Sequence, residues 1–164
     1  MKTNIVLIGL MGAGKTTIGK ILSAQLDMPF TDCDENIEKS YGNISDLFNK
    51  GENYFRDLES KMILRMAALD GVIMSTGGGV VLRPENMDVL KEKGVIFYIK
   101  RSVEDILKTV DPDTRPLIRN NPETLYKISA EREHLYNNYS DHVIDGSDIN
   151  TAIKTIKSIW TKIS

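Results

Sequence analysis

The chain has 164 residues, of which 41% are hydrophobic and 27% charged, the proportions of one soluble domain with a core of its own. Its 21 Lys+Arg and 23 Asp+Glu leave a net charge of −2. That excludes the strongly basic surface of a non-specific nucleic-acid binder and a polybasic membrane patch.

Residues 5–8 form a short aliphatic run ending at Gly9, as in a strand buried on both faces. The run is too short for the apolar core of a signal peptide. No other run approaches the ~20 apolar residues of a membrane span. The expectation is a cytoplasmic protein. A helix is predicted from about Gly14 to Leu26, with Ile18, Ile21 and Leu22 on one stripe. Pro29 ends that region, and a second strand begins at Phe30. Further strands are predicted at residues 72–74, 95–99 and 142–144. Helical patterns cover residues 60–69 and 84–91, the second opened by a helix-start proline. Ser102 reads as an N-cap, with Asp105 three residues on. The last helix carries Ile153, Ile156, Ile159 and Ile163. Alternating strands and helices predict βαβ units, a parallel sheet, and ligands at the carboxyl ends of its strands.

Residues 9–16, Gly-Leu-Met-Gly-Ala-Gly-Lys-Thr, match G-x-x-x-x-G-K-[ST] in full, between a predicted strand and a predicted helix. Glycines let successive N–H groups turn inward as an anion nest, and the helix N-terminus adds positive charge. In such a loop Lys15 reaches the β- and γ-phosphates, and the Thr16 hydroxyl ligates Mg²⁺. A GTPase switch would also need N-K-x-D and D-x-x-G. Asn49-Lys50-Gly51-Glu52 ends in Glu, and no Asp has Gly three residues on. The D-G-[FY]-P-R signature of nucleoside monophosphate kinases is missing after Asp70-Gly71. These absences point to a small-molecule kinase.

Asp32 and Asp34 follow the second strand two residues apart, so continued strand geometry would point both to one side. Paired carboxylates call for a cation or a hydrogen-bonding substrate between them. One would hold Mg²⁺ through water, and the other would accept a proton from the attacking hydroxyl. Cys33, the only cysteine, excludes an intramolecular disulfide and reads as a small buried filler.

The chain resembles the shikimate kinase family. The resemblance rests on residues 9–19, Asp32-x-Asp34-x-x-Ile37-Glu38, Gly51-Glu52-x-x-Phe55-Arg56-x-x-Glu59 and Ser75-Thr76-Gly77-Gly78-Gly79. Thr114-Arg115-Pro116-Leu117 and Arg132-x-x-Leu135-Tyr136 complete it, in the family's order across nearly the whole chain. It implies a three-layer α/β/α P-loop fold with a five-stranded parallel sheet. A helical substrate-binding insertion at about residues 33–60 and a lid at about 111–123 belong to that single domain. The implied reaction is transfer of the ATP γ-phosphoryl group to the 3-hydroxyl of shikimate, on the route to chorismate, by a monomer that uses Mg²⁺.

The resemblance also implies roles for residues. Gly12, Ala13, Gly14, Lys15, Thr16 and Thr17 hold the nucleotide, with Lys108 over the adenine and Arg115 on the phosphates. Thr16 and Asp32 serve the metal. Lys15, Asp34 and Arg115 are the catalytic residues. Arg56 and Arg132 bind the substrate carboxylate, for which forked guanidinium donors are suited. Glu59, one helical turn from Arg56, orients it. Gly77, Gly78 and Gly79 let backbone approach the substrate, and Arg119 is a weaker second lid candidate. Two features depart from the pattern. The span from Asp34 to Arg56 is a residue or two short, which bears on the wall around Phe48. His134 stands where Pro is usual, which would shift the start of that helix. Tyr136, Tyr139 and Trp160 read as packing residues. The rivals are a kinase for another hydroxylated acceptor such as gluconate, and a non-catalytic binding protein. The second should have lost Lys15, Thr16, Asp34 or Arg115.

Overall fold

The computed structural model describes residues 1–109 and 121–164. Five strands, β1 (Asn4–Ile8), β2 (Phe30–Asp32), β3 (Ile73–Ser75), β4 (Gly94–Lys100) and β5 (His142–Asp145), form one sheet in the order β2-β3-β1-β4-β5. Every pairing is parallel. The helices among the described residues are α1 (Lys15–Leu26), α2 (Cys33–Tyr41), α3 (Ile44–Asn49), α4 (Glu52–Ala67), α5 (Pro84–Lys93), α6 (Val103–Thr109), α7 (Pro122–Tyr139) and α8 (Ile149–Ile163).

The period of two along a strand divides the core. On β1, Ile5 and Leu7 pack with Ile18 and Leu22 of α1 and Ile153 and Ile156 of α8. Val6 and Ile8 face the other way, onto Ile37, Ile63, Met87 and Ile106 of α2, α4, α5 and α6. All five β1 residues are buried. Residues 5–8 make the apolar run, and the Asn4 side chain is satisfied by the Leu69 carbonyl and the Val72 N–H. The result is a three-layer α/β/α fold with β1 in the middle. Strand order reverses beside β1, so the carboxyl ends of β1 and β3 flank the crevice where such sheets bind ligands.

The predicted strands are found, with β3 shifted one residue later. Two helices are longer than their apolar periodicity suggests. The helix expected over residues 60–69 begins at Glu52. The last begins at Ile149 behind an acidic cap, Asp148, whose carboxylate accepts from the Asn150 N–H. In α4 the early inward positions include Arg56 and Glu59, both buried. Charged residues at core-facing positions erase the apolar period there. Ser102 does cap α6, accepting from the Asp105 N–H at 3.1 Å. The helix carrying Arg132 starts at Pro122, ten residues before it, and runs unbroken through His134. His134 therefore sets no helix start. A proline there would remove a mid-helix hydrogen bond.

Candidate active site

The loop after β1 is held in shape by its backbone. Gly12 and Gly14 have φ of +82° and +97°, a region that favours glycine. Gly9 is excluded from change by contact, since a Cβ there would lie 2.6 Å from the Ile99 carbonyl oxygen on β4. The Ala13 N–H donates to the Leu10 carbonyl at 3.1 Å, and its methyl faces the core, so Ala13 contributes to the loop through backbone alone. Lys15 Nζ donates to the Gly9 and Leu10 carbonyls, each at 2.7 Å. Its ammonium is thereby curled back over the loop that precedes it. Thr16 and Thr17 follow in the first turn of α1, where N–H groups lack helical partners. With Asp34, Ser75 and Gly78 they line a cavity of about 370 Å³.

Asp32 ends β2 and caps α2, its carboxylate accepting from the Glu35 N–H at 3.0 Å. This corrects the expectation of continued strand geometry. Cys33 already begins the helix, so Asp34 sits in its first turn and not two places along a strand. Both carboxyl groups line the cavity all the same. The second Asp32 oxygen accepts from the Thr16 hydroxyl at 2.8 Å. A hydroxyl and a carboxylate in contact are hard oxygen donors of the kind Mg²⁺ takes, with water filling its other positions. Cys33 is fully buried, and burial followed by Glu59 and Asp34 pushes its thiol far above the usual range. It is an inert filler, as its neighbours predict.

Gly77, Gly78 and Gly79 follow β3, and none has a positive φ. They are glycines for space. A Cβ on Gly77 would lie 2.9 Å from Asp34 Oδ1 and 3.0 Å from Glu59 Oε2. On Gly78 it would lie 3.3 Å from the Met11 amide nitrogen and 3.5 Å from Arg132 Nη1. On Gly79 it would overlap the Arg56 guanidinium, with three atoms within 2.5 Å. The three glycines thus bring Asp34, Arg56, Glu59 and Arg132 against one backbone strip beside the phosphate loop.

Arg56 is buried and paired with Glu59, Nη1 to Oε1 at 2.9 Å. Its guanidinium carbon lies 5.4 Å from the Phe48 ring centre and 5.3 Å from that of Phe55, and the two rings stack at 4.2 Å. The short span before Arg56 is therefore compatible with an aromatic wall that includes Phe48. Burial raises the Glu59 carboxyl above its ordinary value, and the Arg56 charge offsets this only in part. Arg56 Nε and Glu59 Oε2 are buried without hydrogen-bond partners, polar capacity that a bound ligand or ordered water would meet.

Three residues of this region escaped their sequence reading or were absent from it. Tyr136 is more than packing. Its hydroxyl donates to the Gly78 carbonyl at 2.6 Å, and burial raises its phenol, so it remains a donor. Thr76 donates to the Leu7 carbonyl at 2.8 Å and ties the glycine strip to β1. Arg101, after β4, lines the same cavity. Lys108 is exposed and does not line it, whereas Thr109 beside it does. Arg115 and Arg119, and most of the expected lid, lie outside the described residues.

A family model described as shikimate kinase matches residues 11–163. The chain belongs to the shikimate kinase family. A shikimate kinase of Caldicellulosiruptor bescii is 43% identical over 98% of this chain and 92% of its own. One from Clostridium beijerinckii is 41% identical over 97% and 95%. A shikimate kinase structure from Acinetobacter baumannii, in complex with shikimate, superimposes with a TM-score of 0.88 at 32% identity over 99% of this chain and 95% of the other. The chain is an enzyme of this kinase class, with the family's P-loop fold and its use of ATP.

Proposed function

We propose that the chain transfers the γ-phosphoryl group of ATP to the 3-hydroxyl of shikimate, giving shikimate 3-phosphate and ADP. The observation that carries this reading is the glycine strip of residues 77–79, which gathers Asp34, Arg56 and Arg132 next to a phosphate loop. A carboxylate acceptor with hydroxyl groups suits two guanidinium groups and one carboxylate.

In this reading the loop amides of residues 12–17 and Lys15 hold the nucleotide phosphates. Lys15 exchanges the Gly9 and Leu10 carbonyls for phosphate oxygens. Thr16, with Asp32 behind it, would hold Mg²⁺, which neutralises charge on the phosphate oxygens when bound. Arg56 and Arg132 fix the acceptor's carboxylate, and Glu59 and the Phe48–Phe55 wall hold Arg56 in place. Asp34 accepts a hydrogen bond from the acceptor hydroxyl, aligns it for in-line attack and takes its proton as the new P–O bond forms. Gly77, Gly78 and Gly79, having no side chains, let Asp34, Arg56 and Arg132 lie against their backbone, which itself contacts the acceptor. By its place in the family pattern, Arg115 adds positive charge to the transferring group, within a lid at about residues 111–123 that keeps water out. Residues 33–60 act as the acceptor-binding insertion of this single domain. The proposal is for a monomer in the cytoplasm. Among the described residues no helix is long and apolar enough to cross a membrane.

The test is ADP release with shikimate, gluconate and nucleoside monophosphates offered separately. Shikimate alone should support turnover, and release with gluconate but not shikimate would overturn the reading. Asp34→Asn should abolish turnover and leave ATP binding intact. Wild-type turnover by that variant would remove Asp34 from its role.

A further inference from the structure

Arg101 follows the last residue of β4, the strand that runs beside β1. It therefore leaves the sheet one strand away from the phosphate loop. Its Nη1 donates to the Gly12 carbonyl at 3.3 Å and its Nη2 to the Asp105 carbonyl at 3.1 Å. The peptide between Gly12 and Ala13 is thereby gripped at both ends, its carbonyl by Arg101 and its N–H by the Leu10 carbonyl. A planar peptide held at both ends cannot rotate, which fixes the direction of the turn that the phosphates enter.

The charge of Arg101 is the second observation. The side chain is half-buried and lines the cavity, and its Nε is buried without a hydrogen-bond partner. Both of its acceptors are neutral carbonyls. Among the ion pairs of the described residues, none includes Arg101. Sheltered charges ordinarily have an anionic partner. Beside a phosphate loop, the chemical class of anion that fits is a nucleotide polyphosphate, and a guanidinium is suited to phosphate oxygens.

We propose that Arg101 is a further nucleotide-binding residue, which fixes the Gly12–Ala13 peptide and sets a second permanent positive charge beside Lys15. This rests on the reading that the loop binds ATP. The role is confined to the nucleotide, because Arg101 lies on the far side of the loop's strand from β3 and its glycine strip.

The experiment is calorimetric binding of ADP and ATP, with steady-state KM for both substrates, in the wild type, Arg101→Met and Arg101→Lys. Arg101→Met should weaken nucleotide binding and raise KM for ATP about tenfold, with KM for shikimate unchanged. Arg101→Lys, which keeps the charge, should recover most of that loss. A folded Arg101→Met protein that binds nucleotide as the wild type does would overturn the proposal, as would equal losses for both substrates. If Arg101→Met does not fold, Arg101→Lys decides. A selective two- to threefold rise in KM for ATP upholds the role, and unchanged or equally raised KM values overturn it. Failure of the wild type itself to bind ATP would overturn the phosphoryl-donor reading, a result separable from these.

Discussion

Arg56 Nη1 and Glu59 Oε1 lie 2.9 Å apart in a pair whose side chains are 9% and 1% exposed. Both come from α4, one turn apart, so the helix itself sets their spacing. Desolvating two charges offsets most of their attraction. Burial outweighs Arg56 in its effect on Glu59, and the carboxyl is raised. The pair is better understood as an orienting device for Arg56 than as a source of stability.

Glu59→Gln tests this division. Because its carboxyl is raised in the folded state, Glu59 contributes stability that is complete below the ordinary carboxyl value of about 4.3 and lost as pH rises through the raised value. The variant should lack that decline. At neutral pH it should be at least as stable as the wild type, yet show a raised KM for shikimate because Arg56 has lost its close buried partner and keeps only the exposed Glu52 carboxylate at 3.7 Å. Urea unfolding from about pH 4 upward, with KM measurements, checks both halves. A variant equal to the wild type in pH slope and KM would refute the assignment.

Gly79→Ala should damage the acceptor site without straining the backbone. Gly79 has φ −94° and ψ 7°, which alanine accepts. The new methyl would fall on the Arg56 guanidinium and force it to move. Displacement of a positioning group by about 1 Å can cost up to about a hundredfold. The expectation is a rise of at least about tenfold in KM for shikimate, with nucleotide affinity retained. Equal effects on both substrates would contradict the geometry.

Tyr136→Phe removes the hydroxyl that serves the Gly78 carbonyl. The bond is partly buried and Gly78 lines the cavity, so losing the donor costs on the order of 1 kcal/mol. Thermal or urea unfolding should show a loss of that order, together with weaker shikimate binding as the glycine strip loosens. Wild-type stability would mean that water replaces the hydroxyl.

Asp32→Asn separates the metal function from the helix cap. Asparagine caps as well as aspartate, so the bond to the Glu35 N–H can persist. The negative charge beside Thr16 is lost. The Mg²⁺ concentration for half-maximal activity should rise about tenfold or more, with little change in melting temperature. An unchanged Mg²⁺ requirement would exclude Asp32 from the metal site.

The phosphate loop was legible in the sequence because its function is local. Eight consecutive residues contain the glycines, lysine and threonine that one turn and one helix end require. The central strands were legible because strands buried on both faces are mostly apolar, as residues 5–8 of β1 are. The order of acceptor-site motifs along the chain was also visible, through the resemblance that Asp34, Arg56 and Arg132 carry. Tertiary structure alone decided how these distant segments meet. Arg56 occupies a core-facing position that hides its helix from the apolar period, and its place is given by Gly79 from the loop after β3. Tyr136 reads as one more buried aromatic until its hydroxyl is seen against Gly78. Arg101 lies 89 positions from Gly12, a separation that no local motif spans. Composition, periodicity and spacing act along the chain. The shared site depends on contacts across parallel strands, which exist only once the sheet has brought their carboxyl ends together.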